Sequence, residues 1–330
     1  MRKHRFSLER RYIMKRKFLL LALFPLMMTS LTGCNKKADF KVGIIQWAPA
    51  DALDKATKGF KQALKAGLNG KTVDFSVKNA YGSGSDAVSI VNTFVSKNKD
   101  LIMANATPAV STAANATADI PIVGTSTTSY EAIFASGIPS NVTGTSDYLD
   151  ISEQVDSIFE WVPNASRVGI LYDTAEANSL IQANDVERII GEQHPLTSVV
   201  RLEFTGTDAN ALSTMLASRL GNVDVVYIPS DNTCVAMSST IHDQCVLAGK
   251  PVIAAEEGLC KACGLATVSI DYYHLGQLTG EMAAKILNGE ATPAQLPITY
   301  DETRAKLYNS IFMREINWTG TTPEGYVAIK

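Results

Sequence analysis

Two similar five-residue stretches indicate the architecture of this chain. Residues 41–45 read Lys-Val-Gly-Ile-Ile, and residues 167–171, 126 positions later, read Arg-Val-Gly-Ile-Leu. Each is a short apolar run of the kind that forms a strand buried on both faces. Two more pairs of stretches repeat at offsets of 124 and 130 residues: 100–102 with 224–226, and 120–123 with 250–253. Such offsets are far too long for a solenoid repeat and indicate one lobe copied into two.

Around the first copy, apolar runs alternate with amphipathic stretches. The runs predict buried parallel strands at Val42–Trp47, Val73–Val77, Leu101–Ala106 and Ile120–Thr125. The stretches between them predict helices at Ala52–Ala66, Asp86–Ser96 and Pro108–Thr117. Strand–helix alternation at this spacing is typical of an α/β fold with a parallel sheet. The chain therefore predicts two doubly wound parallel-sheet lobes with a ligand cleft between them.

The copy pattern also places the boundaries of the lobes. Lobe one is expected at residues 40–147 plus 272–296. Lobe two is expected at residues 148–271 plus 297–330. The chain would then cross between the lobes near residues 147, 271 and 296.

Residues 1–33 differ sharply in charge from the rest of the chain. They hold eight Lys/Arg and one Glu, so the remainder has 22 basic and 32 acidic residues, a net charge of −10. The chain after residue 33 has no excess of basic residues to neutralise phosphates, which argues against a nucleic-acid partner. Lys15-Arg16-Lys17 and the apolar run Phe18–Met28, with small residues after it, predict a secretory signal peptide over residues 1–33. Met14 is a better-placed start than Met1, and a retained short anchor is the alternative.

Leu31-Thr32-Gly33-Cys34 resembles the lipobox of bacterial lipoproteins, in which the signal peptidase cuts before a diacylated cysteine. That resemblance implies lipidation at Cys34, with residues 34–39 forming the lipidated end and its tether. Two acyl chains on one residue give the stable anchoring that one chain does not. The expected location is exported and lipid-anchored, at the outer face of the cell membrane or the periplasmic face of a membrane.

The candidate ligand-binding residues follow from the strand ends. Ligands of open α/β sheets bind beyond the carboxyl ends of the strands, where helix N-termini also point. In the predicted first lobe these positions are Gln46, Trp47, Thr107, Ser126 and Thr127. In the second lobe they are Tyr172, Glu176, Asn178, Ser179, Asp231, Asn232 and Glu256, and Asp271 joins them at the crossing back to lobe one.

This set of side chains suits a zwitterionic ligand. Hydroxyl and backbone N–H groups near helix starts can hold a carboxylate, and the candidates are Thr107, Ser126 and Ser179. Acids can hold an ammonium group, and the candidates are Asp231, Glu176 and Glu256. Aromatic rings can enclose an apolar or aromatic side chain, and the candidates are Trp47, Tyr172 and Tyr130. Helix capping is the competing role for Asp231, Thr107 and Asn178, and for any one residue it is the commoner role.

Metal and redox chemistry have weak support. Cys260-Lys261-Ala262-Cys263 is a single CxxC without a second pair at zinc-ribbon spacing. A disulfide between these two cysteines is an alternative, because disulfides persist outside the cell. The preferred interpretation is that they are structural or free thiols. Cys234 and Cys245 lie 11 positions apart on a predicted helix, about 16 Å at 1.5 Å per residue, which is too far for a disulfide. We expect no metal.

The case for an enzyme is also poor. Gly82–Ala87 matches a loose dinucleotide-binding fingerprint, but it follows the second strand, whereas the fingerprint belongs after the first strand of its unit. We expect a polar helix start there. The sequence has no Walker loop and no HExxH motif, and none of His194, His242 and His274 stands beside an obvious nucleophile. We therefore expect no catalytic residues and no cofactor.

Five stretches in order along the chain carry a family resemblance. They are Ala106-Thr107-Pro108-Ala109, Asn141-Val142-Thr143-Gly144, Tyr172 through Glu176-Ala177-Asn178-Ser179, Pro229-Ser230-Asp231-Asn232-Thr233, and Asp271-Tyr272-Tyr273 leading to Gly276. Over residues 40–296 the chain resembles the substrate-binding lipoproteins of bacterial ABC transporters, in the group associated with tryptophan and other aromatic amino acids. The resemblance implies a type I periplasmic-binding-protein fold with three crossing segments, an amino-acid ligand in the cleft and a membrane permease as partner. By that resemblance, the residues expected to contact the ligand in the cleft are Thr107, Glu176, Asn178, Ser179, Asp231 and Asn232.

Two departures from the family pattern lie near the cleft. Ser129-Tyr130 stands where family members commonly have Asp-Pro, and the Cys260–Cys263 pair is unusual for the group.

The main alternative is a sugar or nucleoside receptor of the same architecture, because stacked aromatic rings beside Asp and Asn also hold sugars. A sensor of repressor type is disfavoured because an export signal takes the place of its helix-turn-helix. An exported enzyme is disfavoured by the lack of a nucleophile–base pair.

Overall fold

Two parallel-dominated sheets form the centre of the structure, a computed structural model that describes residues 37–329. The expected signal peptide, the Met14 start and the lipidated Cys34 lie outside the described residues. Within residues 37–329, no helix combines the length and apolar character needed to cross a membrane.

The first lobe begins with alternating strands and helices, as the apolar pattern predicts. Its elements are β1 (Phe40–Gln46), α1 (Asp51–Gly67), β2 (Val73–Asn79), α2 (Gly84–Ser96), β3 (Leu101–Asn105), α3 (Thr107–Ala116), β4 (Ile122–Thr127), α4 (Tyr130–Ile133) and β5 (Val142–Ser146). Helices cover both faces of this sheet. Val42 and Ile44 of β1 belong to the core on one face, and Ile45 belongs to the core on the other. This alternation follows from the two-residue period of a strand.

The second lobe repeats the arrangement. Its elements are α5 (Ile151–Trp161), β6 (Arg167–Asp173), α6 (Ala177–Gln193), β7 (Ser198–Phe204), α7 (Ala209–Arg219), β8 (Val225–Ile228), α8 (Asn232–Ala236), α9 (Ser238–Ala248), β9 (Val252–Ala254), α10 (Glu257–Cys263) and β10 (Ala266–Ser269). After these come α11 (Tyr272–Leu287), β11 (Thr299–Tyr300), β12 (Ala305–Tyr308), α12 (Ser310–Glu315) and β13 (Val327–Ala328), with 3₁₀ turns at Leu220–Asn222 and Pro293–Gln295.

The strand orders confirm the duplication. The first sheet runs β11-β5-β4-β3-β1-β2, and the second runs β13-β12-β10-β9-β8-β6-β7. The block β4-β3-β1-β2 therefore has its counterpart in β9-β8-β6-β7. The pairings are parallel except for β10 with β12. The predicted fold class, two doubly wound α/β lobes, is confirmed.

Three details differ from the sequence predictions. The strand at Val73–Asn79 is half-exposed rather than buried, because it is the edge of its sheet. Thr299–Tyr300 was expected in lobe two, but it pairs in parallel with Thr145–Ser146 of the first sheet and covers an edge that β5 would otherwise expose. The single helix predicted for Cys234 and Cys245 is divided at Met237 into α8 and α9.

The cysteines lie in the core of the second lobe. Cys234, Cys245, Cys260 and Cys263 are all free and buried. Burial raises the pKa of each thiol, because a thiolate would be poorly solvated there. Structural or free thiols were the preferred interpretation of the sequence, and these four act as small apolar core residues.

Helix α11 carries the chain back onto lobe one through unusually close backbone contact with α1. A Cβ on Gly276 would lie 2.0 Å from the carbonyl oxygen of Ala56, and a Cβ on Gly59 would lie 2.0 Å from that of Tyr273. Both positions therefore require glycine. The contact fixes Tyr272, the first residue of α11, against the point where the chain crosses between the lobes.

Hydrogen bonds also join the crossing segments to each other. Tyr272 Oη donates to Asp147 Oδ2 at 3.1 Å, which links the crossing after β5 to the crossing before α11. His274 Nδ1 lies 3.1 Å from Asp301 Oδ2, which links α11 to the segment between β11 and β12. The three connections are thus held as one hinge.

We expect Gly276→Ala to lower the free energy of unfolding by about 3 kcal/mol, because the new methyl group must push α1 and α11 apart. Gly191→Ala is the matched control, since Gly191 lies on α6 with open space around its Cβ position. That change should leave stability unchanged or raise it by up to ~1 kcal/mol, the helix-propensity difference. Urea denaturation measures both. Equal effects of the two substitutions would contradict the packing argument.

Candidate functional site

A cavity lies between the two lobes, at the ends of strands from both sheets. Its empty space amounts to about 430 Å³ when the open solvent at its mouth is included. Its walls come from the segments after β3, β4, β5, β8 and β9 and from the first turns of α1, α6 and α11. The lining residues are Ala50, Ala52, Leu53, Ala106, Thr107, Ser126, Thr128, Asp147, Asn178, Ser230, Asp231, Asn232, Val235, Glu256 and Tyr272.

Six of the predicted site residues line this cavity. They are Thr107, Ser126, Asn178, Asp231, Asn232 and Glu256. Two more, Trp47 and Glu176, line a wider outer chamber of about 1,420 Å³ that also includes Asn232 and the exposed Tyr81. The expectation that ligand-binding residues follow the carboxyl ends of the strands thus identified residues that lie up to 149 positions apart in the chain. Thr107 and Glu256 are the farthest pair.

The remaining predicted residues lie outside the cavity, and local bonds explain the positions of Gln46, Ser179 and Asp271. Gln46 joins β1 to α1, since its Nε2 donates to Asp54 Oδ1 at 2.8 Å and its Oε1 accepts from Thr57 at 2.9 Å. Ser179 Oγ donates to the carbonyl of Ser230 at 3.2 Å. Asp271 caps α11 by accepting from the backbone N–H groups of residues 273 and 274.

Three further side chains expected near the ligand point elsewhere. Thr127 is fully buried and donates to Thr125 O at 3.2 Å. The Tyr172 hydroxyl donates to Glu203 and accepts from Arg201, on the side of β6 that faces β7. Tyr130 packs inside the first lobe and its hydroxyl donates to Thr145 O at 3.2 Å. Neither tyrosine lines the cavity.

Sequence reasoning missed four polar residues of the cavity wall. These are Thr128, Asp147, Ser230 and Tyr272. Asp147 directly follows β5, a strand that was not among the predicted ones. Had the strand Val142–Ser146 been predicted, Asp147 would have been a candidate as the residue after its carboxyl end.

Three buried polar atoms of the cavity wall have no hydrogen-bond partner in the described part of the chain. They are Ser126 Oγ, Asp147 Oδ1 and Asn178 Oδ1. Asn178 Nδ2 donates to Ser230 O at 2.6 Å, which leaves Oδ1 as a free acceptor. Buried polar atoms nearly always have partners. A hydroxyl and two oxygen acceptors are therefore available to a ligand.

The backbone at two strand ends is held in a conformation that favours glycine. Ala106, just before α3, has φ 91°, and Ser126 at the end of β4 has φ 51°. Strained residues of this kind concentrate at functional sites. Ala106 positions the start of α3, where the N–H group of Thr107 and the partial positive charge of the helix end can hold a carboxylate.

The acids of the wall are buried, which penalises their charged forms. Asp231 accepts from the backbone N–H groups of Asp173 and Cys234 at 2.8 and 2.7 Å. Burial and the neighbouring Glu176 nevertheless raise the pKa of Asp231. Burial raises the pKa of Glu256 to about 7, although its carboxylate accepts from the N–H groups of Gly258 and Leu259.

Asp147 completes the acidic wall. Burial raises the pKa of its carboxyl group, and the hydroxyl of Tyr272 offsets this in part by donating to Oδ2. No Lys, Arg or His belongs to the described lining of the cavity. The wall thus offers acceptors for a cation, together with hydroxyl and backbone N–H groups for an anion.

This geometry belongs to a recognised family. Residues 41–317 match the family model of the ABC transporter substrate binding protein. The chain belongs to this family. It is a substrate-binding protein of an ABC transporter, which places it outside the cytoplasm, and the family is one of binding proteins rather than enzymes. The expected class is thereby confirmed.

Its relatives include receptors for aromatic amino acids. A tyrosine-binding protein of Clostridioides difficile is 35% identical over 295 residues, covering 83% of this chain and 84% of that protein. An ABC domain from Streptococcus pneumoniae in complex with L-Trp is 27% identical, with a TM-score of 0.80, and the match covers 88% of this chain and 99% of that one. A leucine binding protein of Thermotoga maritima, at 15% identity and a TM-score of 0.57 over 76% of this chain and 82% of that one, shares the fold alone.

A third comparison is with a ligand-free protein. The ligand-free, open structure of a substrate binding protein from Clostridium difficile is 31% identical, with a TM-score of 0.67 over 88% of this chain and 99% of that one. The tryptophan complex has lower identity but the higher TM-score over the same coverage.

The raised pKa values predict how stability depends on pH. Acids with a raised folded-state pKa contribute stability below their unfolded pKa, and this contribution is lost as pH rises through the folded value. For Glu256 that window runs from about pH 4.5 to about pH 7. We expect the free energy of unfolding of the ligand-free protein to fall by about 3 kcal/mol across it.

Urea denaturation at pH 5, 6, 7 and 8 measures this dependence. Glu256→Gln should show a flatter profile, because the titrating group is gone. Glu192→Gln, on the exposed end of α6, is the control and should keep the steep profile of the parent. A parent profile that rises from pH 5 to pH 8 would contradict the assignment.

Proposed function

We propose that this protein captures an aromatic amino acid, tyrosine or tryptophan, in the cavity between its lobes and delivers it to the permease of an ABC importer. The observation that carries the proposal is the set of unpartnered buried atoms, Ser126 Oγ, Asp147 Oδ1 and Asn178 Oδ1, in the wall of one cavity. The tyrosine-binding relative and the L-Trp complex supply the ligand class.

Each part of an amino acid has a matching part of the wall. The carboxylate would lie at the start of α3, where Thr107 and Ser126 present hydroxyl and backbone N–H groups. The ammonium group would donate to Asp147 Oδ1 and Asn178 Oδ1, with Asp231 and Glu256 in the same cavity wall. The side chain would lie against apolar groups of the cavity wall, which are Ala50, Leu53, Val235 and the ring of Tyr272.

Closure of the lobes would couple ligand capture to delivery. Lys55 on α1 of lobe one bonds to Glu257 on α10 of lobe two at 2.9 Å, so an ion pair joins the lobes beside the cavity. A ligand that touches both lobes favours the closed form because only that form offers all its contacts. Small-angle scattering should show a smaller radius of gyration on saturation, and an unchanged profile would contradict closure.

Calorimetric titration of residues 35–330 against the twenty amino acids tests the ligand class, after any copurified ligand is removed by unfolding and refolding. Micromolar or tighter binding of tyrosine, tryptophan or phenylalanine is the expected result. Binding of aliphatic amino acids alone would reject the aromatic specificity. Silence across the panel would reject the amino-acid ligand and direct the search to sugars and nucleosides.

Asp147→Asn should weaken binding of that amino acid by about 10–100-fold, because a hydrogen bond between charged groups is worth ~1.5–3 kcal/mol. The substitution keeps an acceptor for the Tyr272 hydroxyl and changes little but charge. Asp150→Asn is its matched control, since this exposed acid only caps α5, a role that Asn fills equally well. Equal affinities for the two variants would remove Asp147 from the ammonium site.

We also propose that the protein is held at the outer membrane face through a lipid on Cys34. In the full-length chain, Cys34→Ser should abolish labelling by a radioactive fatty acid and move the protein from the membrane fraction to the soluble fraction, because two acyl chains are needed for stable anchoring. Thr32→Ser keeps the cysteine and should leave both readouts unchanged. Continued labelling of the Cys34→Ser protein would exclude this site.

A further inference from the structure

The cavity holds an unbalanced set of charges. Asp147, Asp231 and Glu256 all line it, and their exposed fractions are 8%, 2% and 5%. No basic side chain belongs to its described lining. Burial penalises the ionised form of each of these three carboxyl groups, and the described lining has no cation to offset that penalty.

The surroundings of Glu256 supply little compensating charge. Across the cleft, α1 presents Asp51 and Lys55, and Lys55 Nζ is already shared between Asp51 at 3.0 Å and Glu257 at 2.9 Å. One cation thus serves two other carboxylates. The remaining titratable neighbours are the thiols of Cys260 and Cys263 and the phenol of Tyr272, and burial raises the pKa of each and keeps it neutral.

The surroundings of Asp231 are acidic as well. Its charged neighbour is Glu176, whose carboxylate accepts from the backbone N–H groups of Asn232 and Thr233 at 3.1 and 2.9 Å. The thiol of Cys234 is buried and neutral. Around Asp231 there are therefore hydrogen-bond donors but no cation among these neighbours.

Asp147 is surrounded by neutral groups. The phenols of Tyr272 and Tyr130 are its titratable neighbours, and burial raises the pKa of both. Only Oδ2 has a protein donor, whereas Oδ1 has none in the described chain. A neutral carboxyl group satisfies this environment better than a carboxylate does, until a cation arrives.

We propose that the cavity takes up the ammonium group of its ligand in exchange for a proton from the carboxyl group of Asp147, Asp231 or Glu256, with Glu256 as the main donor. The ligand enters with its ammonium intact, one carboxylic acid O–H bond breaks, and the proton leaves to solvent buffer through the mouth of the cleft. The inference rests on the proposed function, because it requires a ligand that carries an ammonium group.

Proton release and affinity are linked. Since binding favours the ionised wall, affinity should rise with pH, and each proton released near a given pH steepens that rise by one decade of affinity per pH unit. We expect roughly 0.5–1 proton per ligand near pH 6.5, where a buried acid with a pKa of about 7 is still largely protonated. The N-acetyl derivative of the same amino acid carries no cation and should not bind.

The experiment is calorimetric titration of the wild-type protein with tyrosine or tryptophan at pH 6.5, in phosphate and in Bis-Tris, both of which buffer at this pH. These buffers differ in ionisation enthalpy, so the difference between the two observed enthalpies counts the protons released. A count near zero with tight binding would overturn the exchange and leave the proposed function standing. Absence of binding by every amino acid would overturn both.

The Glu256→Gln variant tests whether Glu256 is the source of the released proton. We expect the count to fall by at least half and the affinity to depend less on pH between 6 and 8. Glu192→Gln, the exposed control on α6, should keep the wild-type count. An unchanged count in Glu256→Gln would overturn the role of Glu256. The buffer comparison on the wild-type protein needs no variant, so it decides the exchange even if Glu256→Gln folds poorly.

Discussion

The rest of the site depends on the contact between α1 and α11, whose backbones touch at Gly59 and Gly276. This contact returns the chain from β10 of the second lobe to lobe one, and it places Tyr272 at the crossing. From there the Tyr272 hydroxyl reaches Asp147, and the two crossings are joined beside the cavity. A larger side chain at Gly59 or Gly276 would push the two helices apart, so these two glycines determine where Tyr272 lies.

The binding site is built at an electrostatic cost. The fold buries acids at three strand ends and supplies them with N–H and O–H donors rather than with cations, so their charged forms remain unfavourable in the ligand-free protein. In the proposed function, a zwitterionic ligand would supply the missing positive charge and its carboxylate would lie at the start of α3. The feature that lowers stability without ligand would then raise selectivity for an ammonium group.

Sequence reasoning was strongest where a residue's role follows from its place after a strand. Thr107, Ser126, Asn178, Asp231, Asn232 and Glu256 were found in this way, because parallel strands bring their carboxyl ends to one edge. It failed for Tyr172 and Tyr130, which were expected to enclose a ligand side chain. A strand side chain can point to either face, and Tyr172 points towards Arg201 and Glu203 while Tyr130 fills the first-lobe core.

Strand length, helix period and the 126-residue repeat are local or simply spaced features, so the sequence was enough to predict a duplicated α/β protein with polar residues at its strand ends. That Asp147, Tyr272 and Ser230 join the cavity wall, and that Thr299–Tyr300 completes the first sheet, emerged only from the folded chain. These outcomes depend on how the crossings pack and on which backbone edges need partners, and neither is encoded in any single stretch of chain.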